Sequence, residues 1–237
     1  MRRPSLISIL DADPEMGAGL DGDAREIARR HVVVNLHRLP TGALAPRLPD
    51  RENIPPAVGL LVLDGLIARD LHLAKRSTTE LLGQGDIIRP WDDDATRGSG
   101  TTRASWTVLQ PASAVVLDRR FAAIAGRWPS ILDVLVQRMV RRSRQVSMQC
   151  TIAQVPRIDA RVLTLMWMLA DRWGRVTPHG VHVPLELTHE TIAKLVAAQR
   201  PSVTTAIGTL TKHGDLQRHD HGWLLHGDPH TTLPELL

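Results

Sequence analysis

The stretch from Ala197 to Leu210, AAQRPSVTTAIGTL, places side chains suited to nucleic acid at the start of an apolar-periodic segment. An arginine such as Arg200 can donate two parallel hydrogen bonds to O6 and N7 of guanine, while hydroxyls and free backbone amides can hold phosphate. Pro201 suits the first position of a helix, where no amide proton is needed. Short Thr and Gly side chains further along would let such a helix lie deep in a groove. We therefore predict a DNA-reading helix over residues 201–211.

The segment before this helix has the pattern of a second helix that supports it. That helix starts at Thr188, and each of the two helices has apolar residues on one side only. Small Ala193 lies where two crossing helices must approach closely. Late cations and Gly214 close the reading helix. The apolar positions are Ile192, Leu195 and Val196 in the first helix and Val203, Ile207 and Leu210 in the second.

A further helix and two hairpins flank this pair. Asp159 is placed to cap the further helix, and Gly174 is expected to end it in a left-handed conformation. The sequences RVTPHGVHVPLEL and LQRHDHGWLLHG each contain a turn between two short strands. Helix, hairpin, helix, tight turn, helix, hairpin is the order of a winged helix-turn-helix, whose reading helix enters the major groove. The expected DNA contacts are Thr188, Gln199, Arg200, Pro201, Ser202, Thr204 and Thr205.

Upstream, residues 59–117 consist of apolar runs broken by turn residues, which predicts a small antiparallel barrel or jelly roll. Asp64-Gly65 favours a hairpin, because both residues tolerate positive φ. Gly83 to Asp86 marks another tight turn. Residues up to about 50 are rich in Pro and Gly, and we expect a loose lead-in with a helix at 24–30 and a strand at 31–36.

A long helix is predicted to connect the two regions, after a short turn capped by Asp118. It begins near Pro129 and continues to about Gln154. Apolar residues spaced by three and four form a seam that can pair with a second copy, and packing against its own barrel is the alternative. The seam positions are Leu132, Leu135, Met139, Arg142, Val146, Gln149 and Ala153. The cations Arg138, Arg141, Arg142 and Arg144 are expected to form a solvated face.

Composition limits the classes of function. The chain has 237 residues, a formal net charge of +4, and only three Lys among 29 cations. This excess of Arg favours phosphate and guanine contacts, although a GC-rich genome would also produce it. The single Cys150 excludes an internal disulfide and a four-cysteine zinc or iron–sulfur site. No nucleophile–base constellation indicates an enzyme, and no apolar window or export signal indicates a membrane or secreted protein. We expect a soluble, cytoplasmic protein.

Other candidate sites give weaker signals. One Phe and no Tyr argue against a stacking platform for single-stranded nucleic acid. A barrel metalloenzyme needs several His and Glu residues, and residues 59–117 contain only His72 and Glu80. Four His residues near the C-terminus leave zinc as an open question, and no metal site is assigned. They are His219, His221, His226 and His230.

Over about residues 58–226 the chain resembles the Crp/Fnr family of bacterial transcription regulators. The resemblance is carried by LLGQGDII, RASW, WPSILDVLVQRMVRRSRQVS and, most specifically, LTHETIAKLVAAQRPSVTTAIGTLTKHGDL. It implies an α+β fold with an N-terminal antiparallel β jelly roll of the cyclic-nucleotide-binding type, a long dimerisation helix and a C-terminal winged helix-turn-helix. We expect a lead-in at 1–50, the jelly roll at 51–128, the dimerisation helix at 129–155 and the DNA-binding domain at 156–237.

The resemblance also implies a function. A homodimer would bind an inverted repeat in double-stranded DNA through helix 201–211, with RNA polymerase as a further partner. A ligand-sensing module whose winged helix docks a protein partner is the alternative. Departures from the family pattern imply a different base preference, because Pro201 replaces an acid and Thr205 replaces a second Arg. Ala197 stands where Gly is usual, so the turn is expected to shift slightly.

The effector cannot be read from the sequence. The family's cyclic-nucleotide binders carry Gly-Glu-Leu where this chain has Arg89-Pro90-Trp91, and Asp92-Asp93-Asp94 would repel a phosphate. Arg103-Ala104-Ser105 resembles the phosphate element, and Ser147 matches one of two hydroxyl positions. These departures argue against cyclic AMP. An effector pocket would include Arg89, Arg103, Ser105 and Ser147, although we expect Arg103 to pair with one of the three Asp residues instead.

Overall fold

The computed structural model describes residues 5–44, 58–74, 76–93 and 102–236. The chain divides into two units. The first comprises residues up to 76 together with 80–144, and the second comprises 77–79 and 145–237. In the described ranges, no helix combines the length and the apolar character that a membrane crossing requires.

The first unit is built on an antiparallel sheet of seven strands, with the path β1-β2-β7-β4-β5. The short strand β3 pairs with β7, and β6 pairs with β4. This arrangement confirms the predicted antiparallel jelly roll. Its strands are β1 (Ser5–Ser8), β2 (Val33–Leu39), β3 (Gly42–Ala43), β4 (Gly59–Leu73), β5 (Arg76–Leu82), β6 (Ile87–Ile88) and β7 (Thr102–Leu117).

The segment before β2 is part of this unit's core. It contains helix α1 (Ile9–Ala12), a 3₁₀ turn (Pro14–Gly17) and helix α2 (Gly22–His31), which agrees with the predicted helix and strand. The expectation of a loose lead-in is wrong for residues 5–44. Ile9, Leu10 and Met16 are buried in one cluster with Phe121, and removing this apolar surface from water stabilises the segment.

Asp64-Gly65 is a bulge within one long strand, and the predicted hairpin is wrong. The register of β4 against β7 shifts between Val62 and Ile67. The Asp64 carboxylate accepts hydrogen bonds from the backbone N–H and the hydroxyl of Ser113, at 2.7 and 2.5 Å. Gly65 has φ +84°, and a Cβ there would lie 2.5 Å from the Pro111 carbonyl oxygen. Positive φ at Gly therefore serves a bulge opposite a proline that has no N–H to donate.

The turn at Gly83–Asp86 is confirmed. The Asp86 N–H donates to the Gly83 carbonyl at 3.0 Å, and the Asp86 carboxylate accepts from the Gly83 N–H at 2.8 Å. Gly85 supplies the positive φ of +86° that the turn requires. This turn leads from β5 into β6.

Two helices follow the sheet. Helix α3 (Arg119–Ala125) begins as predicted at Asp118, whose carboxylate accepts from the Phe121 N–H at 2.7 Å. Helix α4 (Pro129–Ile152) begins at the predicted proline. Its cations do not form a solvated face, because Arg138 is buried with Asp13 and Arg142 binds Glu80. A guanidinium that loses water must find acceptors, and here they come from distant parts of the chain.

The predicted seam on α4 is wrong in every second position. Leu135 is buried in the core of the first unit, Arg142 bonds to Glu80, and Gln149 donates to backbone carbonyls. The exposed apolar face is rotated by one residue and keeps alternating spacings of four and three. We name it the α4 stripe, and it consists of Leu132, Val136, Met139, Ser143, Val146 and Cys150.

The second unit has the predicted winged-helix order. Its four-stranded sheet runs β10-β11-β9-β8, all pairs antiparallel. The elements are α5 (Ile158–Trp173), β8 (Arg175–Thr177), β9 (Gly180–Val183), α6 (His189–Leu195), α7 (Arg200–His213), β10 (Leu216–His219), β11 (Gly222–Leu225) and α8 (Pro229–Leu236).

Both ends of α5 differ from the prediction. The residue before the helix is Arg157, and Asp159 lies in the first turn. A hydrogen bond from Arg157 holds the pKa of Asp159 below its ordinary value, against the opposing effect of partial burial. Gly174 is extended, with φ −68° and ψ 150°, so it is not a left-handed stop. A Cβ at Gly174 would lie 2.4 Å from the Ala170 carbonyl oxygen, and this close approach accounts for the glycine.

Candidate nucleic-acid interface

Helix α7 has one buried face and one exposed face. Val203, Ala206, Ile207 and Leu210 are buried, in agreement with the predicted apolar side. The outer face presents Arg200, Pro201, Thr204, Thr205 and Gly208. The helix starts at Arg200, one residue earlier than predicted, and Gly214 ends it with φ +86°. Between Arg200 and the last turn, which carries Lys212 and His213, the outward face is therefore smooth and uncharged.

The N-terminus of α7 has no side-chain cap among the described residues. Gln199 is the N-cap residue by backbone conformation, and its side chain forms no capping bond. The first amides of a helix have no partner within the helix and carry the positive end of its dipole. Arg200 and Ser202 flank Pro201 at this end. A phosphate group would find both backbone donors and a cation here.

The threonine hydroxyls of α7 bond to their own helix. Thr204 donates to the Arg200 carbonyl at 3.1 Å, and Thr205 donates to the Pro201 carbonyl at 3.2 Å. Each hydroxyl has one proton, so these two retain only acceptor capacity toward an incoming group. Their geometry suits acceptance from a base amine rather than donation to a phosphate.

Sequence reasoning missed His189. Its Nδ1 lies 3.0 Å from the Thr204 hydroxyl, and its ring lies 6.3 Å from that of Trp223. Because Thr204 donates its proton to Arg200, Nδ1 of His189 is the donor in this pair. The 15-residue separation along the chain gives no local signal for this contact. Thr188, the neighbouring predicted DNA contact, caps α6 by accepting from the Thr191 N–H at 3.1 Å.

Ala197 adopts the left-handed conformation, with φ +52°. The Ala198 N–H donates to the Ala193 carbonyl at 2.9 Å, and the Ala197 N–H donates to the Lys194 carbonyl at 3.4 Å. These two bonds define a Schellman motif, in which Gly is usual at the left-handed position. The expectation of a shifted turn is therefore wrong. The turn keeps its geometry, and Ala197 carries the strain.

The wing, between β10 and β11, has a buried aromatic base and polar tips. Trp223 is buried beneath Arg218, whose guanidinium carbon lies 4.7 Å from the ring centroid and whose Nη1 donates to the Leu187 carbonyl. His221 contacts the Glu186 carboxylate at 2.5 Å. No group of three metal-ligating side chains is found in the ranges that the structure describes.

The candidate effector residues have separate partners, and they belong to both units. Arg89 bonds to the Asp92 carboxylate and to the Val58 carbonyl, so the ion pair expected for Arg103 is made by Arg89 with this Asp. Asp94 lies outside the described residues, as does the side chain of Asp93. On β7, Arg103 is exposed opposite His72, and the Ser105 hydroxyl lies 3.4 Å from His72 Nε2. Ser147 belongs to the second unit and is exposed on α4.

A cluster of Arg69, Glu80 and Arg142 was also missed. Arg142 donates two hydrogen bonds to the Glu80 carboxylate, at 2.6 and 2.9 Å, and a third to the Ile87 carbonyl. Arg69 lies 3.5 Å from the same carboxylate and packs over Trp106. Glu80 on β5 and Arg142 on α4 are 62 positions apart, so only the folding of the first unit brings them together.

Comparisons with known proteins agree with this architecture. No family model matches the chain. The CRP-like cAMP-activated global transcriptional regulator of Mycobacterium tuberculosis is 27% identical over 148 residues, which is 62% of this chain and 62% of that protein. The match thus covers less than two thirds of the relative's length.

Several solved structures share the fold. A CooA variant from Carboxydothermus hydrogenoformans superposes with a TM-score of 0.64 at 21% identity, covering 86% of this chain and 87% of the other. A CRP-family transcriptional regulator from Thermus thermophilus gives 0.58 at 20% identity, covering 84% and 94%. The antiparallel roll, the winged helix and these likenesses confirm the resemblance found in the sequence, and the chain has the fold of the Crp/Fnr family of transcription regulators.

Proposed function

We propose that this protein is a sequence-specific transcription regulator of the Crp/Fnr type that binds double-stranded DNA as a homodimer. Helix α7 enters the major groove, and RNA polymerase is a further partner. The proposed assignment is a jelly roll at 51–128, a dimerisation helix at 129–155 and a DNA-binding domain at 156–237. Residues 5–44 join the jelly roll, because they share its sheet and core.

The outer face of α7 carries this proposal. The apolar side of the helix is buried against its own unit, whereas Arg200 and the uncapped N-terminus are exposed. Beyond them, Thr205 and Gly208 add little bulk, and a Cβ at Gly208 would meet no atom within 4 Å. A rod of this shape fits the major groove, which admits one α-helix. The proposed base contact of a cation is Arg200, and Thr204 and Thr205 are proposed to accept from base amines. The proposed phosphate contacts are Gln199, Ser202 and Thr188, and Pro201 is proposed to touch the DNA through van der Waals contact only.

The α4 stripe supports the proposed dimer. Leu132, Val136, Met139 and Val146 are between 38% and 51% exposed, which is unusual for a row of apolar side chains on one helix. Alternating spacings of four and three keep such a row on one side over about five turns. A second copy of α4 would cover it. Two-fold pairing then presents two reading helices to half-sites about one DNA turn apart.

Cyclic AMP is not the effector that we propose. The name of the Mycobacterium tuberculosis relative describes activation by cAMP. In this chain, Arg89-Pro90-Trp91 stands where those binders carry Gly-Glu-Leu, so Pro90 takes the place of the ribose-binding acid. The neighbouring Arg89 is bonded to Asp92 and the Val58 carbonyl. Arg103 and Ser105 remain proposed effector residues on β7, and Ser147 on α4.

Selection from a pool of random 40-bp duplexes tests the function. The full-length protein should enrich an inverted repeat whose half-site centres lie about 10 bp apart. Binding to the enriched duplex should exceed binding to a scrambled duplex by at least about 10³-fold at 0.15 M salt. Enrichment of no sequence would contradict the proposal. Retention of a specific protein by the winged helix in that case would favour the docking module instead.

A further inference from the structure

The C-terminal end of α6 leaves four backbone carbonyls without a partner inside the helix, as every helix end does. They belong to Ala193, Lys194, Leu195 and Val196. The Schellman bonds from Ala198 and Ala197 satisfy the first two. The other two need donors from elsewhere, because a buried carbonyl without a partner is strongly unfavourable.

Side chains from two other helices bind the remaining carbonyls. The Gln149 amide of α4 donates to the Leu195 carbonyl at 3.1 Å, and Arg161 of α5 donates through Nη1 to the Val196 carbonyl at 3.2 Å. All four of these residues belong to the second unit. Leu195 and Val196 immediately precede the left-handed Ala197. The two donors therefore hold the last residues before the strained position.

Each of the two side chains makes a second hydrogen bond. The second proton of the Gln149 amide goes to the Thr79 carbonyl at 2.7 Å, and Arg161 also donates through Nε to the Val155 carbonyl. Because both partners of Gln149 are carbonyl oxygens, the amide nitrogen must face them. An oxygen in that place would repel both. Gln149 thus has one orientation, and it fixes the α6–α7 turn from outside.

We propose that Gln149 and Arg161 are positioning residues for DNA reading. They hold the α6–α7 turn in the left-handed geometry that presents Arg200, although neither touches the outer face of α7. Glycine would adopt this geometry without cost, whereas alanine is strained in it. The hydrogen bonds from Gln149 and Arg161 therefore stabilise the left-handed conformation that a glycine at position 197 would adopt unaided. Gln149 also links the α6–α7 turn to α4, the helix of the proposed dimer. The inference rests on the proposed function, because it concerns the presentation of Arg200 to DNA.

A double-mutant cycle tests the proposal with the full-length protein and the enriched 40-bp duplex. Gln149→Met keeps the length of the side chain and removes both donors, and it should weaken binding about 10-fold. Ala197→Gly alone should leave Kd within threefold of wild type. Adding Ala197→Gly to Gln149→Met should restore at least most of the loss, because Gly no longer needs the hydrogen bonds from Gln149. The matched control is Gln137→Met, on the exposed side of the same helix, which should bind as wild type.

Three results would overturn the proposal. The first is unchanged affinity of Gln149→Met. The second is an equal loss in the wild-type and Ala197→Gly backgrounds, since Gln149 would then act independently of the turn. The third concerns Gln149→Lys, which keeps donor protons on a long side chain and should bind within threefold of wild type. A loss as large as that of Gln149→Met would show that the donors are not what matters.

Hydrogen exchange gives a readout without DNA. The backbone N–H groups of Ala197 and Ala198 should exchange at least about 10-fold faster in Gln149→Met than in wild type, while those in the middle of α5 stay unchanged. If Ala197 and Ala198 exchanged as slowly in Gln149→Met as in wild type, the proposal would be overturned. Failure of the wild-type protein to enrich any duplex, with the exchange difference present, would instead contradict the proposed function and leave the effect of Gln149 on the turn standing.

Discussion

Arg138 and Asp13 form a two-bond ion pair inside the first unit, although 125 positions separate them in the chain. Nη1 of Arg138 lies 2.5 Å from one carboxylate oxygen of Asp13, and Nη2 lies 3.0 Å from the other. The two side chains are 5% and 6% exposed. Nη2 also donates to Glu15 at 2.6 Å. The long helix α4 is therefore tied to the N-terminal segment.

Loss of the Arg138 guanidinium should destabilise the protein strongly. Arg138→Met leaves the buried Asp13 carboxylate without its partner, and we expect the free energy of unfolding to fall by about 3–5 kcal/mol. Urea denaturation at pH 7 measures it. Arg141→Met is the matched control, because Arg141 is exposed and lies 3.6 Å from Glu15, and its loss should stay below about 1 kcal/mol. Equal losses for the two variants would contradict the importance of burial.

The stability should also depend on the ionisation of Glu15. The hydrogen bond from Arg138 holds the pKa of Glu15 below its ordinary value of 4.5, against a smaller opposing effect of burial. A lowered pKa means that the contribution is complete above about pH 4.5 and disappears as the pH falls through the lowered value. At pH 7, the free energy of unfolding of wild type should exceed that of Glu15→Gln by less than about 1 kcal/mol, since Glu15 is half exposed. Urea denaturation at a series of pH values measures both proteins. If the difference between their free energies of unfolding did not shrink in acid, this linkage would be refuted.

Arg200 should specify a base. Arg200→Ala should weaken binding to the enriched duplex by about 1–3 kcal/mol and relax selectivity at one base pair of each half-site. Competition with duplexes substituted one pair at a time measures both effects. Lys212→Ala, near the far end of α7, should leave the selectivity unchanged. An Arg200→Ala protein with wild-type affinity and wild-type selectivity would rule out the base contact.

Gly208 should separate stability from binding. The residue lies within α7 on its outer face, where a Cβ meets no protein atom. Gly208→Ala should raise the free energy of unfolding by about 1 kcal/mol, because Ala is the better helix former. The same methyl group should reduce affinity for the enriched duplex several-fold, since it holds the helix away from the base edges. Thermal melting and fluorescence anisotropy would show the two opposite changes. Tighter DNA binding would argue against a close approach at this position.

Cys150 should report the register of the proposed dimer. It is exposed at the end of the α4 stripe, so two copies of it would meet across a parallel seam. Mild oxidation should give a covalent dimer on a non-reducing gel, and Cys150→Ser should abolish it. In that background, Met139→Cys should restore the cross-link, whereas Gln137→Cys should not. Cross-linking through Gln137→Cys alone would place the seam on another face.

The winged helix could be predicted closely because its signals are local. Thr188 caps α6, Gly214 ends α7, and the apolar positions of both helices are buried as their spacing indicates. These features depend on residues within one or two turns of each other. His189 escaped prediction because its partners, Thr204 and Trp223, come from two other elements. The roles of the predicted DNA contacts and effector residues stay predictions.

Long-range pairing explains the errors in the first unit. An Asp-Gly pair indicates positive φ, but a hairpin turn and a bulge both use it, and only the partner strand decides between them. The arginines of α4 follow each other so closely in the sequence that they lie on several sides of the helix. Their spacing alone does not tell which of them face solvent. Arg138 and Arg142 lie on the inner face because they form ion pairs with Asp13 and Glu80. Residues near them in the sequence give no signal of these pairs. The exposed stripe differs from the predicted seam by one residue at every second position, because Leu135, Arg142 and Gln149 also have partners far away in the sequence.

Strand β7 pairs with β2, β3 and β4, and this has a consequence for synthesis on the ribosome. Asn35 pairs with Val116, and Gly59 pairs with Leu117. Three strands therefore emerge before the strand that joins them, and Asp13 emerges long before Arg138. The nascent first unit exposes apolar strands throughout that interval, which is when a chaperone would engage it. Slowing translation just before β7 should lengthen this interval, and slowing it after α4 should not.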